Sequence, residues 1–61
     1  MITVKCIFDL TEKGLDGNTY EFKRGEMYRL TIVGYYFIEI GHTQVLIKKR
    51  SKLYKHFMIV C

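Results

Sequence analysis

Apolar side chains at every second position are the feature that most restricts how this chain can fold. The first such run is Ile2, Val4, Cys6 and Phe8, with polar residues between the first three. Because successive side chains of a strand point to opposite faces, a period of two predicts half-buried β-strands rather than helices. The same period returns in three further runs: Tyr28, Leu30 and Ile32; Tyr36, Ile38 and Ile40; and Val45 and Ile47.

Turn-forming residues separate these runs. Residues Asp9 to Thr19 contain two glycines, Asp16 and Asn18, and we expect a long turn or loop there. A second patterned stretch begins at Tyr20 and Phe22. We expect a tight diverging turn at Gly25, a break at Gly34 and a hairpin connection over residues 41–44.

The last part of the chain is predicted to hold one short helical turn and a closing strand. Ser51 can cap a turn that runs through Leu53, Tyr54 and Lys55. Phe57, Ile59 and Cys61 then alternate again. Roughly five short strands with turns between them favour an all-β, five-stranded antiparallel barrel, because a closed sheet has no unpaired edge.

The length of 61 residues suits a single domain, spanning residues 1–61, with a thin core. The longest uncharged run, Leu30 to Ile38, has nine residues, too few for a membrane span, and residues 1–10 lack the pattern of a signal peptide. We therefore expect a cytoplasmic protein with reduced thiols at Cys6 and Cys61, both as apolar core residues. The predicted core comprises Phe22, Leu30, Ile38, Val45 and Phe57, with Tyr28 and Tyr36 on the same faces.

The order of these features resembles that of Src-homology-3-like barrels, and most closely the short barrels of this type encoded by bacteriophages and prophages. The residues that carry the resemblance are the first strand (Thr3 to Phe8), the long loop, the Phe22 to Tyr28 stretch with its Phe-Lys-x-Gly-x-x-Tyr spacing, Tyr35-Tyr36, and the helical turn before Phe57. The resemblance implies a small barrel with one helical turn before the last strand. It further implies a phage or prophage accessory protein that binds and modulates a host protein.

Eukaryotic members of that family bind proline-rich peptides in an aromatic groove, and this chain departs from that groove at two places. Tyr35 and Tyr36 stand where the third strand normally begins with tryptophan. The proline and tyrosine of the helical turn are matched only by Leu53-Tyr54.

Four apolar or aromatic residues are the candidate partner-binding set. Tyr35 and Phe37 lie on the strand face opposite the predicted core, and exposed aromatic residues are typical interface anchors. The alternative is that they only cover one end of the barrel, and the apolar surplus also allows a homodimer. The full set is Tyr35, Phe37, Leu46 and Tyr54.

Basic residues dominate residues 43–61, which contain no aspartate or glutamate. Such a segment favours an anionic partner, so a nucleic-acid-binding barrel is the alternative function. The other interpretation is a solvated basic end that keeps the chain soluble. A small-ligand-sequestering oligomer is a third possibility. The basic candidates are Lys48, Lys49, Arg50, Lys52 and Lys55.

Enzymatic and metal-binding patterns are not apparent in the sequence. Ser51 is the only serine and lies in a lysine-rich segment, without paired carboxylates or a glycine-rich phosphate loop. The spacings of the two histidines, Cys6 and Cys61 match no zinc-ligand pattern. We therefore expect a non-enzymatic protein with no metal, no cofactor and no membrane partner.

Overall fold

The computed structural model describes residues 2–61. These residues form seven strands and one helix. In chain order the elements are β1 (Ile2–Cys6), β2 (Leu10–Lys13), β3 (Thr19–Phe22), β4 (Met27–Val33), β5 (Tyr35–Ile40), β6 (Thr43–Ile47), α1 (Arg50–His56) and β7 (Phe57–Ile59).

Five of the strands form one antiparallel sheet in the order β6-β5-β4-β1-β7, and β2 and β3 form a separate antiparallel pair. The prediction of a mostly β, antiparallel chain is confirmed. The chain differs from a simple five-strand scheme because the segment between β1 and β4 contributes a second, two-stranded sheet.

Strand β4 joins the two halves of the large sheet. Its first half pairs with β1, where Leu30 lies opposite Ile2, and its second half pairs with β5, where Leu30 lies opposite Ile38. Leu30 is therefore the residue of β4 that is paired with both neighbouring strands, β1 and β5. Its side chain is buried, since both pairings place it on the face that carries the core.

The core lies between the inner face of the large sheet, the β2–β3 pair and α1. The five predicted core residues are all buried, so that prediction is confirmed. Tyr28 and Tyr36 are partly buried and pack against the same cluster. The other buried hydrophobic residues are Val4, Cys6, Leu10, Ile47 and Leu53.

The prediction of one long loop from Asp9 to Thr19 is wrong. Residues Leu10–Lys13 form β2, and Leu10 lies opposite Phe22 of β3, which buries both side chains. Only the tip of this hairpin is a turn. There the Oδ1 atom of Asp16 accepts the backbone N–H of Asn18 at 3.0 Å, as in an Asx turn.

Three details at the end of the chain also differ from the sequence predictions. The residue that caps α1 is Lys49, without a side-chain hydrogen bond, and Ser51 lies exposed within the helix. Strand β7 ends at Ile59. Cys61 is exposed rather than part of the core, although its backbone remains tied to β1: its carbonyl oxygen accepts the N–H of Thr3 at 3.1 Å, and its N–H donates to the Thr3 carbonyl at 3.4 Å.

Candidate functional site

The outer face of the large sheet carries a group of apolar side chains at the end where β4 turns into β5. Phe37 lies opposite Leu46 of β6, and Tyr35 lies opposite Val33 of β4. Val33 is 69% exposed and Tyr35 is 52% exposed, while Phe37 and Leu46 are half-buried. We refer to Val33, Tyr35, Phe37 and Leu46 as the outer-face patch.

The tight β4–β5 connection brings these residues together. Gly34 has a φ of 75°, a left-handed conformation that glycine adopts without steric penalty. Val33 and Tyr35 are thereby paired directly across a single intervening residue. Because alternate residues share a face, Phe37 then follows Tyr35 on the outer side, as the sequence period predicts.

Tyr54, the fourth residue of the predicted binding set, belongs to a different surface. It lies one helical turn after Arg50 on α1, and its hydroxyl is close enough to interact electrostatically with the Arg50 guanidinium. The Nε atom of Arg50 donates a hydrogen bond to the Tyr36 hydroxyl at 3.4 Å. Tyr36 is on the inner face of β5, so Tyr54 lies beside the inner rim of the sheet and not on the outer-face patch.

The five basic candidates are divided among separate environments. Lys52 forms an ion pair with Glu12 of β2, and Arg50 contacts Tyr36. Lys55 is exposed on α1. Lys48 and Lys49 are exposed in the link between β6 and α1 and have no ion pair among the described residues.

A groove of about 400 Å³ brings Lys48, Lys49 and Lys52 together at the edge of β6. Glu12, Leu46 and Ile47 complete its lining. We call this feature the β6-edge groove. It adjoins the outer-face patch, because Leu46 belongs to both.

A second exposed apolar group, which the sequence interpretation did not single out, lies at the other end of the sheet. Met27 and Met58 flank Lys5 in the register of β4, β1 and β7, and both methionines are exposed. The period-two alternation of the strands identifies them, because each methionine is next to a core-facing residue and so lies on the outer face. The polar residues Thr3, Arg29, Glu39 and Gln44 occupy the outer face between this group and the outer-face patch.

Among the described residues, the titratable groups with a shifted pKa do not form a nucleophile–base pair. Burial raises the pKa of the Cys6 thiol, which donates a hydrogen bond to the Phe8 carbonyl at 3.0 Å. A thiol held protonated in this way is a poor nucleophile. The hydrogen bond from the Tyr20 hydroxyl to Asp16 lowers the pKa of Asp16 and raises the pKa of Tyr20. Within residues 2–61, no three histidine, cysteine, aspartate or glutamate side chains gather in a metal-binding group.

Comparison with known proteins gives no matching family model, no matching curated protein and no matching solved structure. The described part of the chain has no helix that combines the length and apolar character needed to cross a membrane.

Proposed function

We propose that this chain is a non-enzymatic binding module that engages a partner protein through the outer-face patch. The observation that carries the proposal is the exposure of Val33 and Tyr35 directly beside the half-buried Phe37 and Leu46. A contiguous group of exposed aromatic and aliphatic side chains is costly to keep in water and is typical of protein interfaces.

We further propose that the domain is a Src-homology-3-like barrel and acts as a phage or prophage accessory protein on a host protein. The order of elements supports the barrel, because α1 directly precedes the last strand. In barrels of this type the first and last strands often neighbour each other, and here β1 pairs with β7. The backbone bonds between Cys6, Gly25 and Glu26 support the diverging turn expected at Gly25. The phage origin depends on the sequence resemblance alone.

Protein binding is favoured over nucleic-acid binding by the placement of the charges. Non-specific affinity for nucleic acid grows with the number of phosphates that cations neutralise. Lys52 is already paired with Glu12, Arg50 contacts Tyr36, and neither Arg50 nor Lys55 lines the β6-edge groove. Among the described residues, Lys48 and Lys49 are then the two cations without an ion pair that share this groove.

The test is capture of partner proteins from a bacterial lysate, with and without nuclease, using the parent chain and two matched variants. Tyr35→Ala removes an aromatic residue of the patch. Tyr54→Ala removes one of similar exposure, 47% against 52%, on another surface. We expect bands that resist nuclease and disappear with Tyr35→Ala but persist with Tyr54→Ala. Equal losses from both variants, or from neither, would contradict the proposal.

Titration of labelled DNA and RNA at two salt concentrations tests the nucleic-acid alternative. If Lys48, Lys49 and Arg50 contact phosphates, replacing all three with glutamine should flatten a log–log salt slope of about −0.9 per duplex contact. Our proposal expects binding weaker than about 10⁻⁴ M at low salt, poorer than ordinary non-specific binders. Light scattering on the same samples tests the ligand-sequestering oligomer, which requires a mass above that of one chain.

A further inference from the structure

The outer edge of β6 presents backbone hydrogen-bonding groups beside the outer-face patch. Ile40 and Thr43 flank the two-residue turn that joins β5 to β6, and residues in that position exchange both backbone hydrogen bonds. Bonded and non-bonded pairs alternate along the ladder, so the opposed residues Phe37 and Leu46 form a non-bonded pair. The N–H and C=O groups of Leu46 therefore point away from β5.

An existing contact supports this orientation. The carbonyl oxygen of Gln44, two residues before Leu46, accepts the N–H of Leu15 at 2.9 Å from the outer side of β6. One end of this edge thus already takes a hydrogen bond from another segment. β6 is an edge strand, and no other backbone bond from a turn or loop reaches it within residues 2–61.

The charge of the β6-edge groove indicates what kind of segment fits this edge. Glu12 and Lys52 neutralise each other, which leaves Lys48 and Lys49 as the cations of the lining that have no ion pair with any of residues 2–61. A segment that carries carboxylates would complement them, whereas a basic segment would be repelled.

We propose that the β6 edge binds a short acidic segment of the partner protein as an added strand. This inference rests on the proposed function, because it specifies the partner chemistry at the same surface. The backbone of the added strand forms hydrogen bonds with the backbone of Leu46. One apolar side chain of the segment extends the row of Phe37 and Leu46 across the outer face. Carboxylates on either side of that residue contact Lys48 and Lys49. Main-chain bonds supply affinity in this mode, and the side chains supply specificity.

The probe is a labelled peptide with one valine between two pairs of glutamates. One control peptide has lysines in place of the glutamates, and another has N-methylvaline, which cannot donate to Leu46. We expect the acidic peptide to bind and to slow hydrogen exchange of the Leu46 amide at least about tenfold, and both controls to bind at least about tenfold more weakly.

Charge-reversed variants test the electrostatic part. Lys48→Glu combined with Lys49→Glu should weaken peptide binding on the order of tenfold at low salt. Arg24→Glu combined with Lys55→Glu makes the same change in net charge at exposed residues outside the groove, and should weaken it about twofold or less. Melting curves confirm that both variants fold.

Four outcomes would overturn the inference. The first is that the acidic peptide does not bind at millimolar concentration, and the second is that it binds without slowing hydrogen exchange of the Leu46 amide. The third is that a single-stranded DNA of the same charge binds equally well. The fourth is that dimerisation of the chain slows exchange of the Leu46 amide when no peptide is present. The peptide experiment tests binding at the β6 edge only. A failure here while Tyr35→Ala still abolishes partner capture would reject the added strand and leave the proposed function standing.

Discussion

Replacement of Phe57 by alanine should remove most of the stability of this domain. Phe57 is the first residue of β7, is 1% exposed and lies opposite Cys6 of β1. Its ring meets those of Phe22 and Tyr28 edge to face, with centroid distances of 5.4 Å and 6.2 Å. The substitution therefore leaves a cavity at the point where three aromatic rings meet.

The magnitude follows from burial and chain length. Truncating a buried phenylalanine to alanine costs about 3–5 kcal/mol. In a domain shorter than about 70 residues the core rarely supplies more than roughly 3–5 kcal/mol of stability. Phe57→Ala should therefore be unfolded, or only marginally folded, at room temperature.

Urea unfolding followed by circular dichroism measures this loss. Phe57→Leu keeps most of the buried volume, so it should lose less than Phe57→Ala, about 1.5 kcal/mol or less. Phe8→Ala removes a phenylalanine that is 59% exposed, and should change the free energy of unfolding by about 0.5 kcal/mol or less. If Phe57→Ala unfolds at the same urea concentration as the parent, the position of β7 against the core is wrong.

Three further predictions concern the ion pair and the thiols. A double-mutant cycle with Glu12→Gln and Lys52→Gln, measured by urea unfolding, should give a coupling of about 0.2–1 kcal/mol, since both side chains are partly exposed; zero coupling would contradict the contact. In the native protein, alkylation followed by mass spectrometry should label Cys61 before Cys6, which is buried; equal rates would contradict that burial. Because burial raises the pKa of Cys6, the contribution of this thiol to stability should be constant below the ordinary thiol pKa and be lost as pH rises from that value through the raised pKa of the folded state, and Cys6→Ala should reduce this alkaline loss.

The period of two predicted the large sheet well because its strands bury one face. Residues such as Leu30, Ile38 and Val45 are fully buried and alternate with neighbours that stay at least partly exposed, so their position in the alternation places them inside. Strand β2 could not be found in this way. It contains one apolar residue, Leu10, followed by Thr-Glu-Lys, and it is held by pairing with Phe22, which local sequence does not report.

The candidate site shows the same division. The period-two alternation of β5 placed Tyr35 and Phe37 on the outer face. The two-residue β5–β6 turn sets the register that puts Leu46 opposite Phe37. The position of Tyr54 depends instead on how α1 sits against the sheet. The ion pair of Lys52 joins residues forty positions apart. Such contacts depend on tertiary placement, which a one-dimensional pattern of charge and hydropathy does not encode.

The pairing of β1 with β7 has a consequence for the order of folding. Strands β4, β5 and β6 are joined by tight turns, so they can pair as soon as each is available, at a small loop-closure cost. Cys6 and Phe57 must instead close a loop of about fifty residues, and long-range pairings of this kind slow folding. We therefore expect the β4–β6 meander to form early and β7 to dock late. Until then Phe22 and Tyr28 lack their aromatic neighbour, and during translation the core must wait for the last strand to leave the ribosome.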